Sequence, residues 1–199
     1  MSALAILLDH AGSPPVLGSR SPETAPASLS SIARVATHQE AVNASDVIIL
    51  AMPFSHDAIT DLAVLHNLES KIIVDAMNPL QSDWSPLVLG VDTSSGEEVQ
   101  KALPKCHVVK AFNTIFADMM SIERLAAAPI KPAGFLCGNS TTAKAEVSDI
   151  LACIGFDPVD VGSILCARYL EAMAHLNISI AVNMKGGTHA FFSYTQNKG

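Results

Sequence analysis

The stretch DVIILAMP, residues 46–53, decides the fold. Six apolar residues in a row follow Asp46 and Pro53 ends the run, which is the pattern of a β-strand. Because the apolar residues do not alternate with polar ones, both faces of this strand are expected to be covered, as in a parallel sheet between helices. Ligands of such sheets bind beyond the carboxyl ends of the strands. The sequence therefore predicts that Met52, Pro53 and Phe54 face any ligand.

Helical and strand-like segments alternate along the rest of the chain. The predicted strands are residues 15–18, 32–36, 46–53, 71–75, 107–112, 133–138 and 157–162. The predicted helices are residues 2–10, 38–44, 55–65, 95–103, 118–127, 141–154 and 167–184. This alternation predicts an α/β fold built from βαβ units, with a mostly parallel sheet. Residues 80–93 carry Pro, Gly, Ser and the one Trp, and they predict a long surface loop.

Composition excludes several classes of protein. The 199 residues carry a net charge of −7 with only 12 Lys and Arg, whereas a nucleic-acid site needs a basic stripe. The four cysteines are far apart in sequence, which argues against a zinc knuckle or a redox pair, so no metal is expected. No apolar run reaches the ~20 residues of a membrane span, and the start lacks the basic region of a signal peptide. We expect a cytoplasmic protein that does not enter a membrane.

The C-terminal helical pattern, residues 167–184, is apolar on nearly every side. A helix with one solvent face should show a narrower apolar stripe, so this helix needs a second cover. A two-fold homodimer is the simplest cover, because such dimers are the commonest assembly. The alternative is a helix deep inside a single core. The aromatic residues of the tail, 189–199, predict that the tail docks on the protein.

Six short motifs carry a resemblance to a known family. In chain order they are LGSR (17–20), MPF (52–54), IVDAMNP (73–79), VVKAFNT (108–114), CGN (137–139) and ARYLE (167–171). The set resembles the NADPH-dependent coenzyme F420 reductase-like family over nearly the whole chain. Similar domains form the cytosolic part of membrane ferric reductases.

The resemblance implies a Rossmann-like, doubly wound fold. Residues 1–163 would form an NADP(H)-binding domain, and residues 164–199 would form a C-terminal helix and tail used for dimerisation. The implied chemistry is hydride transfer between NADPH and coenzyme F420 or a flavin-type acceptor. In this family the hydride passes directly between two cofactor rings, so no protein nucleophile or general base is required. We therefore assign no catalytic residue.

Ser19 and Arg20 are the predicted contacts to the 2′-phosphate of NADP. In an NAD site the second strand usually ends near an acidic residue that binds the ribose 2′-hydroxyl. A 2′-phosphate instead calls for hydroxyl and guanidinium donors, and Ser19 and Arg20 provide one of each.

Three further cofactor contacts are predicted in or just after the strand of residues 46–53. Met52 and Pro53 would contact the cofactor where it crosses the sheet edge, through their backbone and apolar side-chain atoms. His56 is the nearest titratable side chain and could donate a hydrogen bond to a bound ring. A histidine at the start of a helix can equally be a capping or surface residue.

The nicotinamide pocket is expected at the ends of the next two strands. Asn78 and Pro79 end one of these strands, and Asn113 and Thr114 end the other. The alternative for each asparagine is a turn residue whose side chain bonds its own backbone. Lys110 could act as an acid in a small-metabolite dehydrogenase or imine reductase on the same fold, but its position within a strand favours a structural or surface role.

The family pattern begins with a strand and a G-x-G-x-x-G loop, and this pattern is not found here. Residues 2–5 resemble those that follow the final glycine of that loop, so the first strand is apparently absent. It would pair with the strands near Val16 and Val47 and would supply the pyrophosphate site. Three explanations remain open: a start assigned too late, a shortened chain that compensates, or a non-catalytic, cofactor-impaired dimeric protein.

Overall fold

The computed structural model describes residues 2–85 and 92–197. The strands are β1 (Val16–Ser19), β2 (Arg34–Thr37), β3 (Val47–Leu50), β4 (Ile72–Asp75), β5 (His107–Ala111), β6 (Ala133–Gly138) and β7 (Asp157–Asp160). The α-helices are α1 (Ser2–His10), α2 (Ala27–Ser30), α3 (His38–Asn43), α4 (His56–Ala63), α5 (Ser95–Ala102), α6 (Ile122–Ala127), α7 (Thr141–Cys153) and α8 (Ala167–Ile178). All the predicted strands are present. Part of the predicted loop over residues 80–93 lies outside the described residues.

The strands form two sheets. The larger has the order β3-β4-β5-β6-β7, and β1 and β2 form a separate parallel pair. Strands β3, β4 and β5 are mutually parallel, so their carboxyl ends meet at one edge. Strand β6 runs antiparallel to β5, and β7 is parallel to β6. The predicted α/β fold with a mostly parallel sheet is confirmed.

The sheet has a hydrophobic core on each face, as the unbroken apolar strands predict. On β4, Ile73 belongs to one cluster and Val74 to the other, and neither is exposed to solvent. On β3, Ile48 and Leu50 face the first cluster, while Val47 and Ile49 pack against the second. Successive side chains of a strand point to opposite faces, which is why consecutive apolar residues are needed here.

Serine side chains begin several of the helices. Ser55 caps α4 by accepting a hydrogen bond from the backbone N–H of Ala58, at 3.1 Å. Ser94 caps α5 in the same way, through Glu97, at 3.2 Å. Each cap satisfies a backbone donor that the first helical turn leaves free.

Two predicted helices differ from the observed ones. The segment 118–127 was expected to be a single helix, but a 3₁₀ turn over Ala117–Met119 precedes α6. Ser121 separates them because its hydroxyl caps α6, and a residue in that role has extended backbone. The segment 167–184 is also divided: α8 ends at Ile178, and a π-helix continues over Ser179–Asn183.

Helix α8 has one buried and one exposed face. Its buried residues are Ala167, Leu170, Glu171, Ala174 and Asn177. Its exposed apolar residues include Tyr169 and Leu176, and Ile180 follows in the π-helix. The alternative of a helix deep inside a single core is therefore wrong for this chain on its own.

The tail docks on the larger sheet. The backbone N–H of Ala133, at the start of β6, donates to the carbonyl of Phe192 at 2.8 Å. The Phe192 side chain packs against the core. Across residues 2–85 and 92–197, no helix is both long enough and apolar enough to cross a bilayer.

Candidate cofactor site

Most of the predicted cofactor contacts follow the carboxyl ends of the three parallel strands. Met52 and Pro53 follow β3, Asn78 follows β4, and Asn113 follows β5. Met52 is half-buried against the core and Pro53 is exposed. Phe54 does not face this edge freely as predicted, because only 6% of it is exposed and it belongs to the core.

Asn78 and Asn113 form a mutual amide pair across the ends of β4 and β5. The Asn113 Nδ2 atom donates to Asn78 Oδ1 at 3.0 Å, and Asn78 Nδ2 donates to the Asn113 carbonyl at 2.8 Å. The structure thus brings two predicted site residues into contact. These contacts differ from the local turn that was the alternative for each asparagine, because they join two separate strands.

The backbone before Asn113 has an unusual conformation. Phe112 has a φ of 65°, in the left-handed region that bulky residues seldom adopt. Its side chain is almost fully buried, which holds the residue in this conformation. Such strained residues cost on the order of 1–3 kcal/mol and cluster at functional sites. Here the strain occurs where β5 ends and Asn113 turns toward Asn78.

Asn113 keeps one buried atom without a partner. Its Nδ2 also donates to the carbonyl of Leu170, at 3.0 Å, which fixes the nitrogen on that side of the amide. Its Oδ1 is buried and has no hydrogen-bond partner among the described residues, and Asn113 is only 5% exposed. A buried acceptor without a donor costs about 1–3 kcal/mol. A donor supplied by a ligand would remove this cost.

Side chains of α8 reach the same edge. Asn177 donates to the carbonyl of the buried residue Thr114 at 3.3 Å. His175 donates to the carbonyl of Pro79, while its buried Nε2 has no partner within residues 2–85 and 92–197. Burial lowers the pKa of His175, against the opposing effect of Glu171 and this hydrogen bond. The predicted residues Pro79 and Thr114 are therefore packed beneath α8, and their carbonyls accept hydrogen bonds from it.

Ser19 and Arg20 lie at the carboxyl end of β1, in the separate pair of strands. Ser19 Oγ accepts from the backbone N–H of Ser21 at 3.1 Å, and Arg20 is exposed. Among the described residues, no hydrogen bond or ion pair joins these two to the asparagine pair. A side chain on Gly18 would come within 3.1 Å of His38, so glycine lets α3 approach the strand.

His56 is an exposed residue in the first turn of α4. Its ring meets that of Phe54 edge-on, with the centroids 5.5 Å apart. His56 thus lies on the surface beside Pro53, where both a surface role and a contact to a bound ring are sterically open.

Sequence reasoning missed a buried ionic cluster beneath the asparagine pair, formed by Lys110, Asp75, Ser95 and Glu171. Lys110 Nζ lies 2.9 Å from Asp75 Oδ2 and 3.0 Å from Glu171 Oε1. It also donates to Ser95 Oγ at 2.7 Å and to the Met77 carbonyl at 2.6 Å. Lys110 is completely buried, so a surface role for it is wrong. Its ammonium group is enclosed by these acceptors and is not open to a substrate.

The protonation of Lys110 follows from this enclosure. Burial acts to lower the pKa of Lys110, but the Asp75 and Glu171 carboxylates outweigh burial and leave that pKa raised. A sequence signal did exist, because Asp75 and Lys110 are the Asp and Lys of two largely apolar strands. They are direct partners in the β4–β5 register.

This sheet edge lies where ligands of open α/β sheets bind, in the crevice beyond the carboxyl ends of the strands. Residues 2–79 match the family described as NADP oxidoreductase coenzyme F420-dependent. This match, with the similar proteins described next, confirms the resemblance carried by the six motifs.

Two characterised proteins are similar in sequence to most of this chain. The chain is 29% identical over 154 residues to the F420-dependent NADP reductase of Methanocaldococcus jannaschii, covering 74% of this chain and 67% of that protein. It is 34% identical over 174 residues to the metalloreductase STEAP3 of Rattus norvegicus. That match covers 86% of this chain, but the chain spans only about a third (33%) of the metalloreductase.

A solved structure shows the same fold. A protein from Arthrobacter sp. FB24, assigned as an F420-dependent NADP reductase, superposes with a TM-score of 0.84 at 27% identity. The superposition covers 98% of this chain and 94% of that one. The Rossmann-like architecture of the chain is thereby confirmed.

Proposed function

We propose that this chain binds NADP(H) and catalyses hydride transfer between NADPH and coenzyme F420 or a flavin-type acceptor. The observation that carries the proposal is the Asn78–Asn113 pair, which leaves one buried acceptor, Asn113 Oδ1, without a donor. A nicotinamide carboxamide has an N–H₂ group that can supply that donor. The pair lies at the carboxyl edge of parallel strands, where ligands of such sheets bind.

The chain's own residues would bind and orient rather than exchange protons. The exposed guanidinium of Arg20 and the hydroxyl of Ser19 suit the 2′-phosphate. Met52 and Pro53 would support the cofactor between the two ends, and His56 could contact a bound ring from the surface. NADPH held by these residues would supply a hydride to the acceptor, with the accompanying proton taken from solvent.

The test of cofactor binding is thermal unfolding of the chain in the presence of NADPH, with NADH as the control. At 100 times its dissociation constant, a ligand of the folded state should add ~2.7 kcal/mol to the free energy of unfolding. NADPH should raise the unfolding midpoint more than NADH does. A chain that unfolds cooperatively with no NADPH shift would contradict the proposal and favour a non-catalytic, cofactor-impaired protein.

A matched pair of variants tests the site itself. Asn78→Ala breaks the amide pair, so it should reduce the NADPH shift. Asn43 and Asn67 form a similar amide pair, at 3.0 Å, before the amino end of β4. Asn43→Ala should leave the NADPH shift unchanged. Equal effects of both variants would remove the asparagine pair from the cofactor site.

A metal-reducing activity is the second candidate, favoured by the 34% identity to the metalloreductase STEAP3. An acceptor screen with F420, FMN, FAD and ferric chelates separates the two, with NADPH oxidation followed by absorbance. Turnover with F420 alone would support the first candidate. Turnover that requires a flavin and a ferric chelate would support the second.

We also propose that the chain forms a homodimer through α8. Tyr169, Leu176 and Ile180 are exposed and recur at the spacing of one helical face, opposite the face that the chain buries. A two-fold axis would place this stripe against its own copy and remove it from water. The C-terminal segment, residues 164–199, would then serve as the dimerisation segment.

A further inference from the structure

The buried cluster contains more carboxylates than cations. Lys110 supplies one positive charge, and Asp75 and Glu171 each supply a carboxylate. Lys110 and Asp75 have no solvent exposure, and Glu171 is 5% exposed. Burying an unbalanced carboxylate costs free energy unless pairing and hydrogen bonds offset the loss of hydration.

The hydrogen bonds show that the carboxylate oxygens act as acceptors. Glu171 Oε1 forms an ion pair with Lys110 Nζ. It also accepts hydrogen bonds from the Ser95 hydroxyl at 2.7 Å and from the backbone N–H of Gly96 at 3.4 Å. Asp75 Oδ1 accepts from the backbone N–H of Met77 at 2.9 Å. Each of these neighbours is a donor, so the contacts favour two carboxylates around one ammonium.

The nearby basic groups do not balance the charge. Burial lowers the pKa of His175, so this imidazole is neutral at neutral pH. Arg168 donates hydrogen bonds of 2.8 and 2.6 Å to the two carboxylate oxygens of Glu97, so the charges of these two residues cancel. Among the described residues, the cluster therefore keeps one negative charge in excess.

This excess charge is linked to the asparagine pair through two adjacent residues of the chain. The Met77 carbonyl, which accepts from Lys110, belongs to the residue before Asn78. The Leu170 carbonyl, which accepts from Asn113, belongs to the residue before Glu171. With consecutive Cα atoms 3.8 Å apart, a ring held at the asparagine pair would be roughly 10 Å from the Glu171 carboxylate.

We infer that Glu171 makes the cofactor site discriminate between redox states, favouring the oxidised nicotinamide of NADP⁺ over the reduced one of NADPH. The oxidised ring carries a positive charge that the reduced ring lacks, so only the oxidised ring is attracted to a buried carboxylate. At roughly 10 Å and an effective dielectric constant of about 20, the attraction is worth on the order of tenfold in affinity. The inference rests on the proposed binding of NADP(H).

The test compares dissociation constants for NADP⁺ and NADPH, measured by titration calorimetry on the full chain. Glu171→Gln keeps the size of the side chain and its acceptor oxygen but removes the charge. The ratio of the NADP⁺ constant to the NADPH constant should rise on the order of tenfold. Glu97→Gln is the matched control, because it also removes a carboxylate that links α5 to α8, but from a balanced and partly exposed pair. That control should leave the ratio within about twofold of the wild-type value.

A second variant tests the same inference in case Glu171→Gln does not fold. Asp75→Asn removes the other carboxylate of the cluster and should raise the ratio in the same direction. Unchanged ratios in folded Glu171→Gln or Asp75→Asn protein, with both forms still bound, would overturn the charge inference alone. A wild-type chain that binds neither form would overturn the proposed function, and the inference would fall with it.

Discussion

Lys110 Nζ lies 2.9 Å from Asp75 Oδ2 in the interior of the protein, and neither side chain is exposed to solvent. These residues are neighbours in the β4–β5 register. Their contact joins the two strands whose ends carry the asparagine pair. Removing the cation would leave two carboxylates buried without it.

Lys110→Met should therefore destabilise the fold by about 3–5 kcal/mol, the usual cost of breaking a buried ion pair by removing one partner. Urea unfolding, with the slope checked for two-state behaviour, measures the change. Lys144→Met is the control, since Lys144 pairs at 2.7 Å with Asp160, whose side chain is 47% exposed. The Lys144 side chain is itself 14% exposed, so this pair is partly screened by solvent and its loss should cost less than that of the fully buried cluster. Similar losses of unfolding free energy in both variants would show that the buried Lys110 cluster contributes no more to stability than the partly exposed Lys144 pair does.

Arg20→Ala should weaken NADPH binding while changing NADH binding little. A charge-assisted hydrogen bond contributes about 1.5–3 kcal/mol, which corresponds to roughly tenfold to a hundredfold in affinity. Dissociation constants for both dinucleotides give the preference. Arg34→Ala is the control, because Arg34 is exposed at the opposite, amino end of β2. Equal losses for NADPH and NADH would remove Arg20 from the 2′-phosphate role.

His175 should make the folded state sensitive to mild acid. Burial lowers the pKa of His175 in the folded protein, so the folded state binds that proton less readily than the unfolded chain does. The corresponding stability is present above the ordinary histidine pKa of about 6.5 and is lost as the pH falls below it. Urea midpoints between about pH 8 and pH 5 should fall less for His175→Gln than for the wild type. His66→Gln, at an exposed site, should follow the wild-type curve.

Leu176→Asp should convert the proposed dimer into a monomer. The side chain is 55% exposed on the apolar stripe of α8, and a charge there would be buried at a two-fold interface. Light scattering coupled to gel filtration reports the mass in solution. Val64→Asp, at a 70% exposed apolar residue that follows α4, is the control and should remain dimeric. A monomeric wild-type chain would rule out the interface.

The strands could be predicted because their apolar residues are contiguous. The residues of β3 and β4 divide between two cores, so each strand requires apolar side chains on both faces, and this requirement is visible in the sequence. The capped starts of helices, such as Ser55 before α4, were also predictable from local chemistry. The break at Ser121 was missed because a serine inside an apolar pattern fits both a helix and a cap.

The chemistry beneath the site depends on contacts between distant parts of the chain. Asp75 is 35 residues from Lys110, and Ser95 is 76 residues from Glu171, so the sequence shows charged residues within apolar strands but not that they assemble into one cluster. The left-handed conformation of Phe112 was equally hidden, because nothing in its residue type favours it. The positions of the asparagines at strand ends were predictable, whereas their bonds to each other and to α8 required the fold.

The position of Glu171 in the chain also bears on how the protein matures during translation. Asp75, Ser95 and Lys110 leave the ribosome before Glu171 does. Until Glu171 is synthesised, Asp75 is the one of the two carboxylate partners that is available to Lys110. The second carboxylate enters only when α8 docks, because Glu171 lies on its buried face. Docking of α8 therefore completes the C-terminal packing and brings the excess charge to the strand edge in the same step.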